Sequence, residues 1–240
     1  MNWFTAHTPL IIGHRGASAD APENTLAAFA LARAQGADGI ELDVQLSADG
    51  RLMVFHDTRV DRTTNGRGRV SEMPASALQA LDAGQGQPIP TLDEVFALLG
   101  ADFLYNVEIK DWGWRDRGTE TAVAACIHQH NLDQQVLVSS FNPLALRRIR
   151  PRLTRSTPLA LIREGGWLRY GYLLASGQAD HPHHSLVDAA YMAQAARRGW
   201  RVHVWTVDDP AEARRLAQLG VHGIITNRPG FIRTALERAA

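Results

Sequence analysis

The sequence predicts a (β/α)8 barrel, and three observations carry that prediction. Short apolar runs alternate with helix-patterned segments along the whole 240 residues. Most of these runs are apolar throughout rather than alternating, as expected for parallel strands covered on both faces. The helical segments between them carry start and stop residues. Repeated βα units of this number fit a closed barrel, with an open doubly wound sheet as the runner-up.

The strand runs are Leu10–Gly13, Gly39–Leu46, Leu52–His56, Leu104–Ile109, Val136–Ser140, Pro158–Ile162, a weaker one at Ala179–His181, Val202–Val207 and Gly223–Thr226. A barrel has eight places, so one of these runs lies outside it. Only Ser47-Ala48-Asp49-Gly50 separates the second run from the third, too short for a crossover helix. That unit is either a hairpin or a barrel position without its helix.

Among the helices, Asn24 is expected to cap a run over Thr25–Gln35 that stops at Gly36. Thr91-Leu92-Asp93-Glu94 reads as a capping box opening a run to Leu99, with Gly100 behind it. Asn142-Pro143 and Asp209-Pro210 each place a cap and a first-turn proline before a helical run, Leu144–Ile149 and Ala211–Leu219. From Asp57 to Gly100 strand signals are weak, so residues 57–100 are expected to form a small insertion over one rim, after the third strand, within a single domain of residues 1–240.

Apolar residues make up 45% and charged residues 21%, an ordinary soluble balance. Lys plus Arg and Asp plus Glu number 25 each, which argues against a nucleic-acid partner or stable membrane anchoring. No apolar stretch reaches the roughly 18 residues of a membrane span. The opening M-N-W-F-T-A-H-T-P-L-I-I-G-H contains no basic leader, so a cytoplasmic location is expected. A single cysteine, Cys126, excludes an internal disulfide and reads as small core filler in a helix.

Function is written at the strand ends. Glu41 and Asp43 are spaced i, i+2, which on a strand turns both carboxylates to one face. Neighbouring like charges repel, and a divalent cation relieves them. Glu108, on a later strand, supplies a third acid. A set of carboxylate oxygens favours Mg²⁺ or Ca²⁺ over Zn²⁺. The bland alternative is ion pairing of the acids with Arg15 and Lys110, but three acids on two apolar strands exceed what pairing needs.

His14 and His56 each end a strand and make an acid–base pair. Arg15 can clamp two anionic oxygens, Gly16 lets backbone approach an anion, and Lys110, two after Glu108, faces inward to hold phosphate or tune the acids. Phe141 and Trp205 near strand ends are candidates for an apolar substrate wall, with core packing the alternative. His181, His183 and His184 are read mainly as loop residues, and Arg147, Arg148, Arg150, Arg152 and Arg155 as a solvated basic face.

Taken together these segments resemble the glycerophosphodiester phosphodiesterase family, of the short cytoplasmic bacterial type. The matching segments, in order, are H-R-G-A-S-A-D-A-P-E-N-T, G-I-E-L-D-V-Q-L-S-A-D-G, V-F-H-D, D-R-T-T-N-G-R-G, L-D-A-G, I-P-T-L-D-E-V, N-V-E-I-K, V-W-T-V and G-I-I-T-N-R-P. Each is weak alone, but the ordered set is specific. The resemblance implies a (β/α)8 barrel, one divalent cation, and hydrolysis of glycerophosphodiesters such as glycerophosphocholine to sn-glycerol 3-phosphate and an alcohol. It implies His14 and His56 as the acid–base pair, Glu41, Asp43 and Glu108 as metal carboxylates, and Arg15 and Lys110 as phosphate contacts. The rival readings are a lysophospholipase D-type phosphodiesterase and a silent glycerophosphodiester-binding protein.

Overall fold

In the computed structural model, which describes residues 2–4, 9–111, 113–115, 117–165 and 177–238, eight parallel strands close into a barrel. These are β1 (Leu10–His14), β2 (Gly39–Leu46), β4 (Leu104–Ile109), β5 (Val136–Ser140), β6 (Leu159–Arg163), β7 (Ala179–Pro182), β8 (Arg201–Val204) and β9 (Gly223–Thr226). The ring closes because β1 pairs with both β2 and β9. The ninth strand, β3 (Leu52–Val54), pairs antiparallel with β2 and stands outside the ring. The short connection at Ser47–Gly50 is therefore a hairpin.

Helices α1 (Leu26–Ala34), α3 (Leu92–Leu99), α4 (Thr119–Gln129), α5 (Pro143–Ile149), α6 (Ala189–Arg198) and α7 (Pro210–Gln218) lie between successive strands, α8 (Pro229–Glu237) follows β9, and α2 (Ala75–Gln79) belongs to the segment after β3. The capping box holds: Thr91 Oγ1 accepts from Glu94 N, and the Glu94 carboxylate accepts from Thr91 N. Asn142 and Asp209 cap α5 and α7. Asn24 does not cap α1. Thr25 does, accepting from Ala28 N at 3.2 Å, while Asn24 takes a left-handed backbone (φ 58°) that turns its amide into the barrel mouth.

Inside the ring, Leu10, Ile12, Leu104, Leu137, Ala160, Ala179 and Ile225 fill the lower barrel, and Trp3 plugs it, donating from Nε1 to the Gln135 carbonyl at 2.8 Å. Their strand neighbours Ile11, Ile40 and Val107 point the other way, into the layer under the helices. Burying a side chain of this size stabilises by about 1.5–3 kcal/mol. Beside the hairpin, Met53, Phe55, Val60, Val70, Ala75, Leu78, Ala83 and Ile89 make a small core of their own. Helix α3 instead packs Leu92, Val95, Phe96 and Leu99 into the main layer.

The five arginines of the α5 region differ in fate. Arg147, Arg152 and Arg155 are exposed, as a solvated face requires. Arg148 folds back onto Glu120, with Nε 2.8 Å from Oε1, and Arg150 donates to the carbonyls of Thr154 and Thr157. Arg148 thus ties α5 to α4, and Arg150 serves a local turn.

Candidate active site

Strand register assembles the site. In the β1–β2 pair His14 lies opposite Glu41, and in the β2–β4 pair Asp43 lies opposite Glu108. Because inward positions alternate, Glu41, Asp43 and Glu108 converge, each placing a carboxylate oxygen within 4.8 Å of the others. All three are buried.

Cations on the same strand ends hold these acids. Lys110 Nζ lies 2.7 Å from Glu108 Oε1 and 3.5 Å from Asp43 Oδ1, and Arg15 Nε lies 3.3 Å from Asp43 Oδ2. Arg15 adopts φ 54°, and its backbone N–H donates to Glu41 Oε2 at 3.0 Å. The following glycine has a packing duty. A Cβ on Gly16 would stand 2.6 Å from the Ala28 backbone of α1, so the close approach there is to a helix rather than to an anion.

Burial splits the acids' proton affinities. It pushes Glu108 up to about 7 although Lys110 pulls the other way. Glu41 is raised well above its ordinary value, by burial and then by the charges of Asp43 and Glu108. Asp43 is also buried, but Lys110 and then Arg15 more than offset this and lower its pKa. Asn24 Nδ2 adds a hydrogen bond to Asp43 Oδ2 at 2.8 Å. Among the described residues Asp43 Oδ1 is buried without a hydrogen-bond partner.

The two histidines flank this group and are oriented by different partners. His14 Nδ1 lies 2.7 Å from Asn227 Oδ1, which can only accept, so Nδ1 carries hydrogen and Nε2 faces the mouth, 3.9 Å from Glu41 Oε2. Asn227 is fixed in turn by donating to Asp208 Oδ2 at 2.6 Å. Burial, and then Arg15, lowers the His14 pKa. His56 Nδ1 instead meets a carboxylate, Asp57 Oδ1 at 2.6 Å. Gln45 Nε2 holds that segment by donating to the carbonyls of Phe55, His56 and Asp57 at 2.8, 3.1 and 2.6 Å.

Behind the mouth, Arg62 bridges Asp57 (2.5 Å) and Glu23 (2.7 Å), and Glu23 accepts from Arg15 at 2.9 Å. Arg62 holds Asp57 down to about 2, against the effect of its partial burial. Among the described residues five carboxylates, Glu23, Glu41, Asp43, Asp57 and Glu108, thus crowd the three cations Arg15, Arg62 and Lys110. With Glu41 and Glu108 deprotonated the acids outnumber the cations by two, an excess that one divalent cation would balance. The donor set is all oxygen, buried and short of hydrogen bonds at Asp43 Oδ1, so it fits a hard dication.

A cavity of about 130 Å³ opens beside these groups, lined by His14, Arg15, Glu41, His56, Asn106, Glu108, Lys110, Phe141, Ile162, His181, Trp205 and Ile225. The nine residues expected to form the site, His14, Arg15, Glu41, Asp43, His56, Glu108, Lys110, Phe141 and Trp205, therefore meet at one place; Asp43 lies just behind the lining. Phe141 and Trp205 pack edge to face, 5.6 Å between centroids, and form one wall. His181 corrects the loop reading. It is on β7, buried in the cavity floor, with Nε2 3.0 Å from His203 Nδ1. His183 and His184 do lie beyond the strand, with His184 paired to Glu212 at 2.8 Å. Glu23, Arg62, Asn106, Asp208 and Asn227 have no role in the sequence reading, and Asn24 has only that of a helix cap.

Comparisons with known proteins show the family and the fold. The model of the glycerophosphoryl diester phosphodiesterase family matches residues 14–231. A glycerophosphodiester phosphodiesterase of Caldanaerobacter subterraneus subsp. tengcongensis is 39% identical over 230 residues, covering 92% of this chain and 94% of that protein. Among solved structures, an Oleispira antarctica phosphodiesterase in complex with the product sn-glycerol-3-phosphate superposes with a TM-score of 0.86 at 31% identity, covering 96% of this chain and 97% of that one. A Silicibacter pomeroyi structure described as a putative glycerophosphoryl diester phosphodiesterase gives a TM-score of 0.89 at 26% identity, covering 99% and 96%.

Proposed function

This chain belongs to the glycerophosphoryl diester phosphodiesterase family and is an enzyme of that activity, and from that premise we propose that it hydrolyses small glycerophosphodiesters, such as glycerophosphocholine and glycerophosphoethanolamine, to sn-glycerol 3-phosphate and an alcohol. The observation that carries the reading is the pair of histidines, separately oriented, on either side of three converging buried carboxylates.

In this reading Glu41, Asp43 and Glu108 hold one divalent cation, Mg²⁺ or Ca²⁺. Bound there, it supplies positive charge where the phosphodiester gathers negative charge. Arg15 and Lys110 stand beside the acids and add two donors for the non-bridging oxygens. His14 is set as the base. Its Nδ1–H is committed to a neutral amide oxygen, which leaves Nε2 as an acceptor at the mouth. His56 is set as the acid, since its Nδ1 partner is a carboxylate that stays ionised and suits the doubly protonated ring. Phe141 and Trp205 pack against the carbon skeleton of the substrate.

The test is to strip the protein of metal, offer glycerophosphocholine with and without Mg²⁺ or Ca²⁺, and assay glycerol 3-phosphate. Release that depends on the added cation is expected. Binding of the diester without turnover under either cation would overturn the proposal in favour of a silent binder.

A further inference from the structure

A second cluster of metal-binding side chains lies on the outer wall of the barrel, sharing no residue with the mouth. Asp93 is in the first turn of α3, Cys126 is on α4, and His130 is the C-cap of α4. The His130 backbone is still helical (φ −89°, ψ 0°), so Cys126 and His130 stand i, i+4 on one face, the spacing that lets one helix present two ligands to one ion. Asp93 meets them from the neighbouring helix.

The distances are informative. Cys126 Sγ lies 3.6 Å and His130 Nε2 3.1 Å from the same oxygen, Asp93 Oδ1, and all three ligand atoms fall within 4.8 Å of one another. Zinc binds sulfur at about 2.3 Å and nitrogen or oxygen at about 2.0–2.1 Å, so the edges of a tetrahedral site are about 3.5 Å for S···O and about 3.3 Å for N···O. Two edges of such a site are already near their lengths. The ring of His130 is braced edge to face on Phe96 at 5.4 Å, and Cys126 is buried, so two of the three donors are held in place by packing.

We propose that Asp93, Cys126 and His130 form a binding site for a borderline-soft divalent cation of the zinc class, clamping α3 to α4 on the outside of the barrel. Binding replaces the thiol and imidazole protons now directed at Asp93, and three protein donors leave one position for water. The thiolate selects against Mg²⁺ and Ca²⁺, so the molecule carries two sites of different hardness. Arg51 Nη2, 3.7 Å from Asp93 Oδ2, is the competing charge; its side chain is more than half exposed and free to swing into solvent. The cation would tie the segment returning from the 57–100 region to the barrel wall, independently of the phosphodiesterase reading.

The experiment is a Co²⁺ titration of the metal-stripped chain with Mg²⁺ in excess to occupy the mouth. The sequence has one cysteine, so a thiolate-to-cobalt charge-transfer band reports Cys126 alone, whereas an all-carboxylate site gives no such band. One equivalent should raise the band, Zn²⁺ should abolish it, and maleimide labelling of Cys126 should slow when Zn²⁺ is present. Asp93→Asn and His130→Ala should each weaken cobalt binding by at least the roughly 10–100-fold that losing even an outer-shell partner costs. No band from the folded wild-type chain overturns the proposal. So does a band that both variants leave unchanged, since that marks a thiol binding metal by itself.

Discussion

The mouth of the barrel and its floor are both buried and polar, yet they solve burial in opposite ways. At the mouth, Arg15, Lys110 and Arg62 partner the carboxylates in a connected network that holds Asp43 and Asp57 ionised while burial raises Glu41 and Glu108. On the floor, around β7 and β8, His181 and His203 face each other with no ion-pair partner among the described residues; burial lowers His203 well below its ordinary value and His181 to about 3, so both are neutral. Retaining charge inside a protein is costly without close partners. In the proposed reading the mouth's charges act on substrate, which gives that cost a use, whereas the floor buries neutral rings. The comparison implies that chemistry is confined to one half of the cavity although both halves line it.

The largest expected effect tests that confinement. His14→Ala and His56→Ala should each lower kcat by roughly 10²–10⁴, the range for losing a general acid or base, while His181→Asn stays within about 10-fold. Steady-state kinetics on glycerophosphocholine decide it. A His181 variant as dead as the His14 variant would end the distinction between the two regions.

Next in size are pH slopes of opposite sign in the metal-free protein. His181 sits at about 3 when folded against an ordinary 6.5. Between those values the unfolded chain binds the extra proton, so this contribution is complete above pH 6.5 and is lost as pH falls, by about 1.4 kcal/mol per unit. Glu108 sits at about 7 against an ordinary 4.5, so between those values the folded chain binds the extra proton and stability rises on acidification, at a similar rate. Urea unfolding between pH 4.5 and 6.5 should show wild type losing stability relative to His181→Asn as pH falls. Against Glu108→Gln, wild type should gain over the same range. Equal slopes in all three chains would refute the contrast.

Legibility in sequence followed the same divide. Glu41, Asp43, Glu108, His14 and His56 stood out because charge at the end of an apolar strand has few structural uses, and parallel register then set them side by side. The nine strand runs were visible for the same reason, but only pairing could reveal that β3 runs antiparallel outside the ring. Orienting groups were hidden. Asn227 is 213 residues from the His14 ring it holds, and nothing local in T-N-R-P marks it. Asn24 precedes a helix and so imitates a cap; its positive φ is not written in its neighbours. His181 was obscured by Pro182 and the two histidines that follow, which made a buried strand end look like a loop.

Asn24 gives the third prediction. It is 3% exposed and donates to Asp43, so Asn24→Ala removes a bond that aims a carboxylate without removing the carboxylate. Loss of such an outer partner typically costs 10–100-fold in metal affinity. The cation concentration giving half-maximal activity should rise by about that factor, while kcat at saturating cation recovers most of its wild-type value. A collapse of kcat that added cation does not rescue would give Asn24 a direct part in the chemistry.

The smallest effect belongs to Trp205, which stands on the seam between the two regions. Its ring packs on Phe141 at the mouth, and its Nε1 donates to the His181 carbonyl on the floor at 2.9 Å. Trp205→Phe keeps an aromatic wall but deletes that bond, which is worth about 1 kcal/mol. If the wall only binds the substrate's carbon skeleton, loss of packing acts equally on ground and transition states. KM should then rise about 3–10-fold with kcat nearly unchanged, the scale of that one bond. A fall in kcat at constant KM would instead mean that the floor positions the mouth, because the hydrogen bond to the His181 strand would then be felt only in the transition state.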